Sequence, residues 1–422
     1  MPSFSIPLSG LTADSTALSA IANNLANQNT TGYKDVRVQF SDLFYQNLGT
    51  TGSGDPIQLG AGAQVGSMPG MFTQGSVNST GVPTDVAIQG DGFFAVQKDG
   101  VVSYTRAGDF SVDANNFLVT SEGQQVLGYP AVNGVISTGQ GITPLQLGAG
   151  TISPPNATTG VTLTTNLNAS ANVGDTFSTP VTVFDSLGAS HVLTVTFTKT
   201  AANTWGYSLS IPSNELDPIG TPPAPQTGIL STGTLTFDGT GKLTGPVDTN
   251  GNLTNVNGID VTGLADGASD MSFSWDLLNG ATPVITQVAA PSSTSSTQQN
   301  GAGSGSLVNF SIGTDGTVTG SFSNGKTAAL GQIALATFAD NQGLQRVGQT
   351  DFTETLASGQ AVIGAPGTGG RGGLSGGALE LSNVDIATEF ANLIVAQRAF
   401  EANAKAVTTF DQITQDTINL KP

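Results

Sequence analysis

Residues 382–421 read SNVDIATEFANLIVAQRAFEANAKAVTTFDQITQDTINLK, and the spacing of their apolar residues decides the architecture. Ser382-Asn383-Val384-Asp385 has the form of a capping box, and Ile386, Phe390, Leu393, Phe400, Ala404, Val407 and Phe410 follow at spacings of mostly three and four. The pattern predicts a helix running to about Leu420, about 55 Å long at 1.5 Å per residue. A helix that long with one narrow apolar stripe cannot bury itself in a single small domain. It needs a partner helix.

The other end of the chain supplies one. Leu11, Leu18 and Leu25 fall seven apart with Ile21 and Ala22 on the adjoining stripe, a heptad-like seam on a helix of about 20 residues. The turn-rich NQNTTG at 27–32 stops it. Pairing the two helices brings the chain ends together and hangs everything between them as an insertion. A helix of this length is marginal in water alone, so its stability comes from packing its apolar face. Periodicity leaves two ways to do that: a helical hairpin inside one monomer, or burial between copies. Contacts of the second kind that do not close into a ring build open helical filaments.

Between the helices the pattern is short β-rich runs separated by turn signals. GDGFFAV, Asp99-Gly100, VVSYTR, a turn at 113–116 and FLVT read as a meander of hairpins over 84–129. A second β region covers about 307–338, and a third, about 154–289, contains VTVFDSLGASHVLTVTFTKT and GTLTFDGTGKL. Residues 290–306 (APSSTSSTQQNGAGSGS) and 365–377 (APGTGGRGGLSGG) are linkers by composition. The expected fold is α+β and multi-domain: long terminal helices forming a coiled-coil-like inner domain, with nested all-β outer domains of hairpin or barrel-like form. Its divisions are 1–30 with 384–422 (helical), 31–70 with 365–383 (connecting), 71–150 with 305–364 (a discontinuous β domain) and 151–304 (an inserted outer β domain).

Composition excludes several function classes. The formal net charge is −18, from 30 acids against 12 Lys and Arg, which disfavours a nucleic-acid backbone or an anionic membrane face. With no cysteine there are no disulfides, thiol nucleophiles or thiolate metal sites. MPSFSIPLSG has no basic n-region or long apolar run, which argues against a cleavable secretory signal, and no stretch approaches the ~20 apolar residues of a membrane span.

Residues 320–327, GSFSNGKT, match G-x-x-x-x-G-K-T, the phosphate-cradling loop in which Lys326 and Thr327 would reach phosphates and magnesium. Such a loop must feed a helix whose amino terminus holds the phosphates. Here Gly331 interrupts within about a turn and the strand-like IALATF follows, so Asn324-Gly325 is expected to be a two-residue hairpin turn with positive φ at both centres. His191, the only histidine, lies within the alternation of SHVLTVTFT and reads as a strand-face residue. A zinc site wants several His or Cys ligands, which the chain lacks. Asp91, Asp99 and Asp315, each followed by glycine, are turn residues without calcium-loop spacing. Acidic pairs such as Asp109 and Asp113 support no glycosidase reading. No catalytic residue, cofactor or metal is expected.

The ends also carry a resemblance. SGLTADSTALSAIANNLANQNTTGYK, with Asn24-Leu25-Ala26-Asn27 and 31-TGYK-34 (Gly32, Tyr33, Lys34), resembles the amino-terminal signature of bacterial flagellar rod and hook proteins. The segment from Ser382, with Ala396-Gln397-Arg398, Glu401-Ala402-Asn403-Ala404 and Asn419-Leu420-Lys421, is similar to their carboxyl-terminal signature. TDVAIQGDGFFAV and YTRAGDFSVDANNFLVTSEGQQVLGY are similar to segments shared by distal rod and hook proteins. Chain length, TTNLNAS, FSNGKTAALGQIALATFADNQGLQ and GGALELSNVD resemble hook proteins, the rod proteins being shorter. Two positions depart from the pattern: Asn116 stands where the turn usually has glycine, and the chain reads Leu-Lys-Pro at 420–422 where a basic residue is more usual.

The resemblance implies a non-enzymatic structural subunit of the flagellar hook, a curved tube passing torque from rod to filament. Its implied partners are further copies of itself, the distal rod protein, hook-filament junction proteins, and transiently the hook cap and length-control proteins. It implies export by the flagellar type III apparatus without a cleaved signal, to a place outside the cell, with neither nucleic acid nor membrane insertion. Two other readings stay open here: a distal rod component, and a secreted β-rich adhesin or polysaccharide-acting protein.

Overall fold

The computed structural model describes residues 5–132, 134–147, 152–217 and 227–419. The expected carboxyl-terminal contacts of Leu420, Lys421 and Pro422 lie outside them. Two helices, α1 (Ser5–Ala26) and α2 (Ile386–Asn419), bracket a chain that is otherwise β strand with three short 3-10 turns among the described residues. It forms two compact units: Met1–Ala149 with Phe310–Gly320 and Ala328–Pro422, and Gly150–Asn309 with Ser321–Thr327.

In the first unit, strand Phe93–Lys98 turns through Asp99-Gly100 into Val101–Thr105. Both turn residues have positive φ (51° and 82°), the geometry that matches strand twist. Neighbouring residues on these strands enter different cores. Phe94, Val126 and Leu335 pack with Val86, Ile88 and Leu118, while Phe93, Leu127 and Ala336 pack with Tyr104 and Phe352. The sheet is therefore covered on both faces, which is why GDGFFAV is a continuous apolar run rather than an alternation. Asn116 takes φ 67°, the left-handed geometry that asparagine tolerates in place of glycine.

The second unit sandwiches a core between two sheets. One is an antiparallel meander of Thr176–Phe184, Ser190–Ala201, Thr204–Ser210, Ile229–Phe237 and Leu243–Gly245. The other carries Gly160–Asn168 between Ser293–Gln299 on one edge and Met271–Asp276 and Ile285–Val288 on the other. Strict alternation sends Leu193, Val195 and Phe197 inward to meet Trp205, Phe273 and Trp275. Burial of each such large side chain contributes about 1.5–3 kcal/mol, enough for this unit to hold a core of its own. The sheets remain open, with edge strands in both, so the barrel-like form expected from sequence is not what these strands build.

Two compositional expectations also need correction. The supposed linker 290–306 contains strand Ser293–Gln299, which pairs antiparallel with Gly160–Asn168 from Val161 to Asn166. Its Ser/Thr/Gln content suits a half-exposed edge strand, where β-branched threonine is favoured. The glycine-rich 365–377 contains Gly373–Gly376, paired with Val86–Gln89 and anchored by buried Leu374. Glycine there serves close approach: a Cβ at Gly376 would meet the Ile312 carbonyl at 2.5 Å. Within 31–70, two antiparallel hairpins form, Gln39–Asp42 with Ala63–Ser67 and Gln46–Thr50 with Pro56–Leu59.

The GSFSNGKT stretch is a hairpin with a different turn from the one expected. The Phe322 N–H donates to Lys326 O (2.9 Å) and the Gly325 N–H to Phe322 O (2.9 Å), and Gly325 alone of the pair has positive φ, 74°. This is a three-residue loop closed by a glycine bulge. Lys326 donates to the Asn300 carbonyl (3.3 Å), and strand Thr327–Ile333 follows where a phosphate site requires a helix.

Candidate assembly surface and the joint that orients it

Asp385, rather than Ser382, caps α2: its carboxylate accepts the Thr388 N–H (3.0 Å) and its carbonyl the Glu389 N–H (2.9 Å). The two helices lie antiparallel, with Gly10 against Asn403 and Asn24 against Glu389. In this register Ser5 stands level with about position 408, and the last turns of α2, carrying exposed Ile413 and Ile418, run beyond the described part of α1.

The buried seam of α1 is Ala13, Ala17, Ala20 and Asn24, flanked by Gly10. Its spacing of four and three is heptad-like, as expected, but it lies beside the predicted Leu11, Leu18, Ile21 and Leu25, which are only half-buried. Small side chains let the helices approach closely, so a Cβ on Gly10 would sit 2.6 Å from Asn403 Nδ2. Asn403 also donates to Asp14 (2.8 Å). The larger residues are displaced to the flanks.

On α2, Leu393, Val407 and Phe410 are half-buried. Ile386, Phe390 and Phe400 are exposed by 47, 52 and 38%, and Ile394 and Val395 by 59 and 68%. The chain thus leaves large apolar side chains of α2 in water, with exposed Gln397, Arg398 and Glu401 among them. Beside them lies a groove of about 310 Å³ whose lining includes Ala17, Ile21, Phe40, Val395 and Ala399. Exposed Phe44, Tyr45, Leu48, Ile57 and Leu59 add further apolar surface on the hairpin that follows.

The amino-terminal signature residues form the joint between the helix pair and the sheets of the first unit. Asn24 accepts from the Tyr33 hydroxyl (3.1 Å) and the Val36 N–H (3.1 Å), and donates to Val36 O (2.9 Å) and Glu389 (3.3 Å). Lys34 meets fully buried Glu380 at 2.6 Å and donates to Thr73 O (2.8 Å), while Arg106 approaches the other Glu380 oxygen at 3.3 Å. Glu380 Oε1 also accepts the Gly75 N–H (2.8 Å) and its carbonyl the Gly32 N–H (2.8 Å). Burial pulls the Lys34 ammonium and the Arg106 guanidinium below their ordinary ranges, and the adjacent carboxylate opposes this in both. Gly32, at φ 66°, passes so close to Arg106 and Ala107 that a Cβ would lie 2.5 Å from their backbone. Asn383 locks the entry to α2, accepting from Asp35 N–H (2.8 Å) and donating to Met71 O (2.7 Å).

Not every signature residue joins this cluster. Asn27 closes the turn after α1 by accepting from Thr30 (3.1 Å), while Ala26, Gln397 and Arg398 lie on exposed helix surface, Arg398 paired with Glu401. Glu380, Arg106 and Arg346, which donates to Lys34 O (2.9 Å), escaped the sequence reading. A signal was present: where only 10% of residues are charged, a charge set inside an apolar segment such as GGALEL marks a position with a partner.

Comparison with known proteins identifies the family. Residues 6–34 match the family described as flagella basal body rod protein, and 375–420 the flagellar basal body rod FlgEFG protein C-terminal family. Residues 87–166 match the flagellar hook protein FlgE/F/G D1 domain, and 155–302 the flagellar basal body protein FlaE D2 domain. These define the class: an axial protein of the bacterial flagellum.

Flagellar hook protein FlgE of Escherichia coli strain K12 is 37% identical over 432 residues, spanning 99% of this chain and all of that one. The protein of the same name from Treponema pallidum is 34% identical, covering 98% of each. The chain belongs to the flagellar hook protein family and is a structural subunit of the hook. A solved structure of Helicobacter pylori FlgE2 aligns with a TM-score of 0.48 at 16% identity, covering 72% of this chain and all of that one. Family membership rests on the full-length sequence relatives.

Proposed function

We propose that the exposed apolar face of α2 and its flanking groove are the surfaces through which hook subunits pack on one another, with the paired helices as the inner wall of the tube. The observation that carries this is Phe390, Ile394, Val395 and Phe400 left in water on a helix whose capping and seam are otherwise complete. An apolar face of this extent marks an interaction site. The residues named from sequence, Leu11, Leu18, Ile21, Leu25, Ile386, Phe390, Leu393, Phe400, Val407 and Phe410, contribute as flanks of the alanine seam and as contacts to neighbours. The Lys34–Glu380–Arg106 joint holds those helices at a fixed angle, so that torque passes from the helical wall into the β sheets of the first unit.

In this reading the subunit meets the distal rod protein at one end of the tube and hook-filament junction proteins at the other, and the hook cap and length-control proteins during growth. It leaves the cell through the type III export apparatus. The second unit slides against the second units of neighbouring subunits as the tube bends. Deletion of residues 154–304 tests that part, because the flanking Ser153 and Gly305 already pair across the excision. Expected are assembled hooks of altered curvature and bending stiffness by electron microscopy. Hooks of normal curvature and stiffness would contradict it.

A further inference from the structure

His191 stands on strand Ser190–Ala201 of the second unit, almost fully buried, and its two ring nitrogens face different groups. Nδ1 lies 2.7 Å from Glu215 Oε2, while Nε2 lies 3.2 Å from Asp185 Oδ2 and 3.6 Å from Asp266 Oδ2. With the Nδ1 hydrogen donated to Glu215, Nε2 turns a lone pair toward two carboxylates. Three electron-rich atoms gathered in a partly dry place repel one another unless a cation joins them.

We propose that Asp185, His191 and Asp266 form a binding site for one divalent transition-metal ion, of the zinc or manganese kind. The three donor atoms lie within 4.8 Å of one another. Metal bonds of about 2.0–2.2 Å at tetrahedral angles set ligand atoms about 3.3–3.6 Å apart; the Nε2–Asp266 separation of 3.6 Å falls in that range and the Nε2–Asp185 separation of 3.2 Å just short of it. Both carboxylates are oriented from behind. Asp185 Oδ1 accepts the Leu187 and Ala189 N–H groups (2.8 Å each) and Asp266 Oδ1 the Ala268 N–H (3.0 Å), so each presents its other oxygen to the site. Glu215 completes the carboxylate–histidine–metal arrangement that fixes the ring tautomer.

Two carboxylates neutralise a divalent charge, one imidazole nitrogen favours zinc or manganese over calcium, and the one-third exposed side of Asp266 admits water ligands. Counting histidines and cysteines along the sequence argues only against sites built from several of them. Here the fold collects carboxylates from the 185–189 turn and the 262–270 loop around a single imidazole. Metal binding would tie those segments together at one end of the unit.

The test uses the full-length chain freed of metal with EDTA, titrated with Zn²⁺ and separately with Mn²⁺ by calorimetry, with the imidazole signals of the sole histidine followed by NMR. Expected is one ion per chain, with the histidine signals shifted by Zn²⁺ or broadened by Mn²⁺. Asp266→Asn, at a surface position, should weaken binding about tenfold or more, and Glu215→Gln by about 10–100-fold. Tryptophan emission of Trp205 and Trp275, both in this unit's core, checks that each variant is folded. No heat with either ion, unchanged affinity in Asp266→Asn, or histidine signals indifferent to both metals would overturn the proposal and leave a proton on Nε2 as the joining cation.

Discussion

Phe390→Lys combined with Ile394→Lys is expected to leave the isolated subunit folded and to abolish hook formation. Both side chains are more than half exposed on a helix, and lysine is a good helix former, so the change to the monomer should stay within about 0.5 kcal/mol. At a buried subunit contact the same change removes about 1.5–3 kcal/mol of apolar burial per residue and sets two ammonium groups where each costs several kcal/mol to desolvate. The effect recurs at every subunit added. Far-UV circular dichroism of the monomer and electron microscopy of cells carrying the variant provide the two readouts. Normal hooks on those cells would place the subunit contacts elsewhere.

Glu380→Ala should be the most damaging single substitution in the first unit. It leaves Lys34 and Arg106 buried without their shared carboxylate and strips the Gly75 N–H of its acceptor. Removing one partner of a buried ion pair costs about 3–5 kcal/mol, a large part of the ~5–15 kcal/mol that holds a typical protein together. The two units can be followed separately. Both helices belong to the first unit and both tryptophans to the second, so helical ellipticity reports one and tryptophan emission the other. In urea, the ellipticity transition should move to markedly lower denaturant while the emission transition stays in place. Coincident shifts would mean that the joint supports both units, and an unmoved ellipticity transition would mean that it supports neither.

Sequence reading reached the elements whose signal is local. The seven-residue spacing of Leu11, Leu18 and Leu25 and the run from Ile386 to Phe410 announce two long helices, and Asp99-Gly100 announces its hairpin. What it missed depends on contacts distant in sequence. The helix seam falls on Ala13, Ala17 and Ala20 because close approach rewards small residues, and nothing in one helix says where its partner will come near. Residues 293–299 read as a linker because serine and glutamine carry no apolar alternation, although the partner strand Gly160–Asn168 supplies the hydrogen bonds that order them. Lys34 was visible as part of a signature, but its meaning came only with Glu380, 346 residues away. The cluster around His191 was hidden in the same way, its acids arriving from three separate turns.

On the proposed assembly, the apolar face of α2 is open in the single subunit and covered in the tube. Because the chain has no cysteine, Ile394→Cys creates one thiol whose reaction with a soluble maleimide can be timed in monomers and in assembled hooks. Expected are rapid labelling of the monomer and strong protection in the hook. Equal labelling rates in the two states would contradict it.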